Sequence, residues 1–206
     1  MKKLWLLLGV IVLSFALVSC GGDDGPTPPD EKKVDLELAE TFISLAKDKE
    51  IYLTTVGQAD IDIVQNILET ATELIEDEDF VRDHMLTANE VNNGSIVFMV
   101  TGTSGKGLGA ASTDVGAETN RAKAFADKAK AGDITLIVLH VGGEARRGSM
   151  SDPVLNAACP GADLMLVVED GDKDNLFTNF NKNEGIPLYL FSKATKMVPA
   201  FAKLFE

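Results

Sequence analysis

The sequence predicts a three-layer α/β/α sandwich with a mainly parallel sheet of five or six strands, Rossmann-like or flavodoxin-like in arrangement. Short, nearly continuous apolar runs such as residues 95–101 and 134–141 are typical of parallel strands that are covered on both faces. Segments with apolar residues at three- and four-residue spacing separate these runs. Because crossovers between parallel strands are right-handed, each strand then returns in the same direction.

The first elements follow residue 34. Apolar residues between 34 and 45 predict a short amphipathic helix, and the β-branched run 51–56 predicts a strand that ends at Gly57. A short edge strand is expected around residues 84–86. Between these two strands, apolar residues at helical spacing predict a longer helix, and they are Ile61, Val64, Ile67, Leu68, Ala71, Leu74 and Ile75.

The later elements continue the alternation. Residues 95–101 are expected to form a central strand, followed by a glycine-rich loop at 102–112 and by a helix that begins only near Asp114. The remaining predicted elements are a strand at 134–141, a helix capped by Ser151 or Asp152, a strand at 163–168, a short helix capped by Asp174 or Asn175, a strand at 186–191 and a helix from about Thr195.

The N-terminus has the features of an export signal. Lys2 and Lys3 precede an apolar run, residues 4–18, that is shorter than the roughly 20 residues of a membrane-spanning helix. The run ends in LVSC, which resembles the bacterial lipobox. That resemblance implies cleavage before Cys20 and lipidation of its sulfur. A plain signal peptide or a short membrane anchor is the alternative.

Three segments are therefore expected: a lipoprotein signal peptide at 1–19, a lipidated disordered tether at 20–33 and a single α/β domain at 34–206. Lipidation of Cys20 leaves Cys159 as the only other cysteine, so no intrachain disulfide is expected. The protein would lie in the bacterial cell envelope, lipid-anchored and extracytoplasmic, either periplasmic or surface-exposed.

The charge of the chain is strongly acidic. The whole sequence has 19 basic and 32 acidic residues, and removal of Lys2 and Lys3 leaves 17 and 32, a net charge of −15. Such a charge repels a polyanion, so nucleic acid is excluded as a partner. The membrane, through Cys20, and a small ligand or a protein are the partners that remain.

Two glycine-rich segments indicate where a ligand binds. They are GTSGKGLGAAS at 102–112 and GGEARRG at 142–148, and each follows a predicted strand. In parallel α/β sheets the loops after the strands share one edge, where ligands bind. Basic side chains in an acidic chain favour a small anionic ligand, and the candidate contacts are Gln58, Ser104, Lys106, Gly107, Gly109, Glu144, Arg146 and Arg147. A purely structural role for the glycines is the alternative.

Known catalytic and cofactor motifs do not fit these segments. Gly107 stands where a P-loop needs Ser or Thr, and the glycine spacing differs from the dinucleotide fingerprint. A nucleophile elbow at Ser104 would need glycine in place of Lys106 and an immediate helix. The aspartates at 170, 172 and 174 lack the glycine and glutamate of a calcium loop. Nothing in the sequence calls for a nucleotide, metal or redox cofactor.

Whether the protein is an enzyme stays open at this stage. His140 ends a predicted strand and Glu144 follows four residues later, a spacing at which a carboxylate can orient an imidazole for acid–base chemistry on an anionic substrate. A structural, hydrogen-bonded histidine is the alternative. A third possibility is a structural or interaction lipoprotein whose glycines only allow close packing.

The segments GTSGKGLGAAS, HVGGEARRG, VGQA and EDGDKDNLF together resemble a prokaryotic domain family of unknown function with KGLGAAG-like and GGExRRG-like segments. The resemblance covers residues 51–205 and implies the α/β fold, but no activity. Ser112 stands where the family pattern has glycine, and residues 170–175 are more acidic than that pattern.

Overall fold

The computed structural model of the protein describes residues 32–71 and 80–206. The predicted signal peptide, the lipidated Cys20 and nearly all of the tether lie outside these ranges, as do Leu74 and Ile75 of the first predicted long helix. Residues 32–206 form one compact unit.

Six strands form one sheet in which every neighbouring pair is parallel. They are β1 (Ile51–Val56), β2 (Val81–Arg82), β3 (Ile96–Thr101), β4 (Thr135–His140), β5 (Leu164–Val168) and β6 (Leu188–Phe191). Their order is β2-β1-β3-β4-β5-β6. The chain moves outward from β1 to β2 and then returns past β1 to β3, so the strand order reverses between β1 and β3. This is the flavodoxin-like form of the predicted fold, which is confirmed.

Six α-helices accompany the sheet in the described ranges. They are α1 (Ile61–Ala71), α2 (Gly105–Ala110), α3 (Val115–Lys130), α4 (Asp152–Ala158), α5 (Leu176–Glu184) and α6 (Val198–Phe205). None of the helices described is long and apolar enough to cross a membrane.

Each face of the sheet has its own hydrophobic cluster. Alternate residues of a strand point to opposite faces, so Phe98 packs in the cluster of α1 and α6, whereas its neighbour Met99 packs in the cluster of α3, α4 and α5. All six residues of β1 and all six of β3 are buried. Burial on both faces explains the continuous apolar runs in the sequence.

The predicted N-terminal helix is wrong. Residues 34–46 contain only a 3₁₀ turn, Glu40–Phe42, and otherwise run along the edge of the sheet. Asp35 and Ser44 have positive φ angles, 52° and 63°, which an α-helix excludes. Their backbone N–H groups instead donate to Leu190 and Lys203. Long-range backbone hydrogen bonds therefore replace the helical ones.

The second strand and the last helix also differ from the prediction. β2 lies at Val81–Arg82 instead of 84–86, because Asp83 turns the chain by accepting a side-chain hydrogen bond from the Met85 N–H at 2.8 Å. The last helix begins at Val198, after a 3₁₀ turn at Ala194–Met197.

Candidate functional site

The two loops after β1 and β3 are in close contact at the reversal of the strand order. Gly57, directly after β1, has a φ of 96°, and a Cβ atom there would lie 2.4 Å from the carbonyl oxygen of Gly102. Such a distance is far inside van der Waals contact. Gly57 therefore allows the two loops to meet where ligands bind in this fold.

The loop after β1 has an unusual backbone at two non-glycine residues. Gln58 and Asp60 have φ angles of 60° and 61°, in the left-handed region that side chains disfavour. The Thr55 hydroxyl donates to the Ala59 carbonyl at 2.8 Å and fixes the loop between them. Strain of this kind, which costs of order 1–3 kcal/mol for each residue, concentrates at functional sites.

The glycine-rich segment after β3 is a helix, which corrects the expectation of a loop up to Asp114. α2 begins directly after Ser104, whose hydroxyl accepts the Gly107 N–H at 3.2 Å and caps the helix. The helix packs tightly on the β1 loop, since a Cβ atom at Gly107 would lie 2.1 Å from the Gln58 carbonyl oxygen. Ser104 therefore has a capping role.

The other two glycines of α2 have no such packing reason. A Cβ atom at Gly105 or Gly109 would meet nothing within 4 Å, and both residues are exposed. Lys106, between them, is also exposed, and its side chain makes no hydrogen bond or ion pair with any residue in the described ranges. One face of α2 therefore presents bare backbone and a free ammonium group.

A crevice of about 290 Å³ lies at this edge of the sheet. Its polar and charged lining residues are Thr55, Gln58, Asp60, Asp62, Arg82 and His84, and α2 contributes Gly107 and Ala110. The crevice therefore lies over the carboxyl ends of β1 and β2 and along one side of α2. We call it the β1–α2 crevice.

Both carboxylates of the β1–α2 crevice are already paired with arginines. Asp60 Oδ2 lies 3.0 Å from Arg146 Nε, and Asp62 forms an ion pair with Arg82. By contrast, the imidazole of His84 has no hydrogen-bond partner among the described residues. The polar groups left free at and beside the crevice are thus basic, His84 and Lys106.

Below the crevice lies a buried ion pair that sequence reasoning missed. Glu118 of α3, with 1% of its side chain exposed, accepts the Gly57 N–H at 2.7 Å and the Gln58 side-chain amide at 3.2 Å. Arg121 binds the same carboxylate oxygen. The sequence did contain a signal for this pair. Glu118 and Arg121 are charged residues three positions apart on the side of a predicted helix that is otherwise apolar.

Arg147 does not face the crevice. Its guanidinium donates to Asp152 at 2.9 Å and to Asp174 at 2.9 and 2.8 Å, binds the Gly171 carbonyl, and lies over the Phe177 ring. The hydrogen bond from Arg147 lowers the pKa of Asp174 below its ordinary value. Arg147 ties the loops after β4 and β5 together, and Arg146 ties the β4 loop to Asp60.

His140 and Glu144 do not form the pair that their spacing suggested. His140 has no exposed surface, and its ring nitrogens face the backbone carbonyls of Thr101 and Gly143 at 3.2 and 3.0 Å. Glu144 is exposed and pairs with Lys173. Burial lowers the pKa of His140, which favours the neutral ring. The structure therefore supports the structural histidine.

The acidic segment after β5 has a capping role. Asp172 is fully buried, and its carboxylate accepts the Phe177 N–H at 2.8 Å and the Thr178 hydroxyl at 2.5 Å. Asp172 therefore satisfies the first turn of α5. Of the two predicted caps, Asp174 accepts the Leu176 N–H at 3.3 Å, whereas Asn175 makes no capping side-chain bond. Among the described residues there is no group of three or more acidic, histidine or cysteine side chains arranged to hold a metal ion.

Comparison with known proteins gives one result. The family model described as "Domain of unknown function (DUF6305)" matches residues 48–205, from the start of β1 to the end of α6. No curated protein and no solved structure matches the chain. The match covers both walls of the β1–α2 crevice.

Proposed function

Because the chain belongs to the DUF6305 family, whose domain has an unknown function, we propose its function from the β1–α2 crevice: an extracytoplasmic, lipid-anchored domain that binds a small anionic ligand there. The observation that carries the proposal is the pairing of the ionisable side chains at the crevice. Both lining carboxylates are paired with arginines, and the side chains without partners are His84 in the lining and Lys106 beside it.

The proposed ligand site therefore lies at the loop after β1, whereas the sequence had indicated the arginine-containing loop after β4. Arg146 contributes indirectly, since it neutralises Asp60, and Arg147 is committed to Asp152 and Asp174. The Gln58 amide already binds Glu118 and the His84 carbonyl at 3.0 Å, which holds the crevice wall in place. A preformed wall lowers the entropy cost of binding a ligand.

The cellular setting is proposed from the sequence alone. LVSC at residues 17–20 and the preceding apolar run support export and lipidation of Cys20, and the acidic tether supports a domain that stands off the membrane. The whole mature protein repels anions, so local basic groups must draw the ligand in. Acid–base chemistry by His140 and Glu144 lacks comparable support, because the two side chains lie apart.

A thermal-shift screen tests the proposal. Residues 32–206, which contain the whole sheet and both cores, are screened against inorganic phosphate, nucleotides, dicarboxylates and amino acids. A ligand at about a hundredfold its Kd adds about 2.7 kcal/mol to the free energy of unfolding and raises the Tm by several degrees. We expect at least one anion to do so.

Variants at the crevice and a control lysine variant show where the anion binds. Lys106→Ala and His84→Ala should reduce the ligand-induced Tm rise, whereas Lys130→Ala should not, because Lys130 is an exposed lysine at the far end of α3. A screen in which every anion leaves the Tm of the folded protein unchanged contradicts the proposal. That outcome would favour a protein partner, which the bare face of α2 at Gly105 and Gly109 is open to receive.

A further inference from the structure

A second cavity lies at the other edge of the sheet, away from the β1–α2 crevice. Its volume is about 610 Å³, within the roughly 300–1,000 Å³ of small-molecule sites. Residues 35–43 form one wall, and the end of β6 with α6 and the turn before it forms the other. We call it the β6–α6 cavity.

Two backbone hydrogen bonds fix the N-terminal segment that forms one wall of this cavity. The Asp35 N–H donates to the Leu190 carbonyl at 2.7 Å, and the Ser44 N–H donates to the Lys203 carbonyl at 2.9 Å. The chain is thus fixed to β6 at one point and to α6 at another, and the wall of the cavity is the stretch between them. The position of this wall is therefore set by backbone hydrogen bonds of the folded protein.

The inner surface of the β6–α6 cavity is mainly apolar. Leu38, Phe191 and Ala200 are buried side chains in its lining, and Ile43 is half-buried. Leu36, also in the lining, has 41% of its surface exposed, a large value for leucine in a folded domain. An acyl chain in this cavity would remove Leu36 and Ile43 from water and would lie over side chains that are already buried.

The charged residues of the cavity have opposite signs on its two walls. Asp35, Glu37 and Glu40 belong to the N-terminal wall, and Lys196 and Lys203 belong to the helical wall. Hydrogen bonds from Ser192, together with the charges of Lys196 and Lys193, lower the pKa of Asp35. Lys203 pairs with Glu206, and the carboxylates of Glu37 and Glu40 have no partner in the described ranges. A ligand that carries both charges would satisfy both walls.

We propose that the β6–α6 cavity binds a single-chain amphiphile with a zwitterionic headgroup, a lysophospholipid supplied by the membrane. Its acyl chain lies on Leu36 and Ile43, above the buried Phe191. Its phosphate binds Lys196 and Lys203, and its ammonium group binds the carboxylates of the opposite wall. The cavity wall begins two residues after the predicted membrane tether. The lipid bilayer is therefore the nearest source of such a ligand.

Titration calorimetry and native mass spectrometry test this proposal on residues 32–206. The probe is lysophosphatidylethanolamine with a 12-carbon chain, kept below its micellar concentration. We expect a saturable 1:1 complex. Dodecanoic acid, with one charge, and monododecanoylglycerol, with none, should each bind about tenfold more weakly or worse, since each loses at least one charge contact. Equal affinity for all three probes would overturn the charge assignment.

Two lysines in the same turn provide the matched comparison. Lys196 lines the cavity, whereas Lys193, also exposed, does not. Lys196→Glu should weaken lysophospholipid binding about fivefold or more, and Lys193→Glu should leave it within about twofold. Ile43→Trp, which places a larger ring at the cavity wall, should weaken the complex.

The outcomes that overturn the proposal are distinct. Absence of a 1:1 complex with lysophosphatidylethanolamine removes it, and so does an equal effect of Lys196→Glu and Lys193→Glu. If Ile43→Trp does not fold, the lysine pair still decides, because both lysines are exposed. The membrane as the source of the lipid rests on the proposed lipid anchor. None of these binding results depends on the β1–α2 crevice, so failure of this site and failure of anion binding are distinguishable.

Discussion

Glu118 and Arg121 of α3 form a buried ion pair directly beneath the carboxyl end of β1. Glu118 accepts the Gly57 N–H, and Arg121 donates to the Thr55 carbonyl and, at 3.0 Å, to the Leu86 carbonyl. β2 pairs only with Tyr52 and Leu53, so the last part of β1 has no strand partner on that side. The ion pair replaces the missing strand and holds the wall of the proposed ligand site.

Glu118→Gln should destabilise the protein strongly, by about 3 kcal/mol, because it leaves the buried Arg121 without a counter-charge. Chemical denaturation measures the change in the free energy of unfolding. Glu144→Gln is the control, since Glu144 forms an exposed pair with Lys173 and its replacement should leave stability nearly unchanged. Similar effects of the two variants would show that the buried pair does not support the fold.

Two glycines of α2 should respond oppositely to alanine. Gly107→Ala places a Cβ atom 2.1 Å from the Gln58 carbonyl oxygen, so we expect a loss of about 1–3 kcal/mol in the free energy of unfolding. Gly109→Ala meets nothing within 4 Å and should leave stability unchanged or raise it by about 0.5–1 kcal/mol. Denaturant unfolding of both variants decides, and equal effects would refute the tight contact of α2 with the β1 loop.

The fold was predictable to a large extent, because buried strands leave continuous apolar runs, as β3 and β4 do, and α1 and α3 leave helical spacing. α2 was not predictable, since three glycines in six residues oppose a helix locally. Its cap at Ser104 and its contact with the β1 loop stabilise it instead. The cap is local, but the contact of Gly107 with Gln58 joins residues far apart in the chain.

The candidate site was predictable only in its location. Glycines and basic residues after the strands indicated the correct edge of the sheet, but the partners of the two arginines did not follow from the sequence. Asp60 lies 86 residues before Arg146, and Asp174 lies 27 residues after Arg147. Only the parallel arrangement of β1, β4 and β5 brings these loops together.

The two arginines should therefore differ in mutants. Arg147→Ala removes the hydrogen bonds to Asp152, Asp174 and the Gly171 carbonyl and should cost about 2 kcal/mol of stability. Arg146→Ala should cost less, because Arg146 is about one-third exposed, but it leaves Asp60 uncompensated and should weaken anion binding. Unfolding curves and ligand titrations of both variants separate the two effects. The reverse ranking in stability would contradict the structural assignment of Arg147.

His140 should make stability depend on pH. Burial lowers its pKa in the folded state, so the unfolded chain takes up a proton first as the pH falls below about 6.5, the ordinary value for histidine. The stability contributed by neutral His140 is therefore complete above that pH. Below it, stability declines by up to about 1.4 kcal/mol per pH unit until the folded state also binds the proton.

The free energy of unfolding at pH 7.5 and at pH 5.5 measures this dependence. His140→Gln should flatten it, although the variant is less stable overall. A His140→Gln profile as steep as that of the unmodified protein would show that other groups cause the decline.

The central claim is that an anion binds the β1–α2 crevice, and its most direct test is an NMR titration of ¹⁵N-labelled residues 32–206 with the best anion from the thermal screen. The account predicts saturable shift changes at the amides of residues 57–60, 82–84 and 105–111, lost together in Lys106→Ala. Saturable changes confined to the loop at 142–148, or no saturable change at any amide, would contradict it.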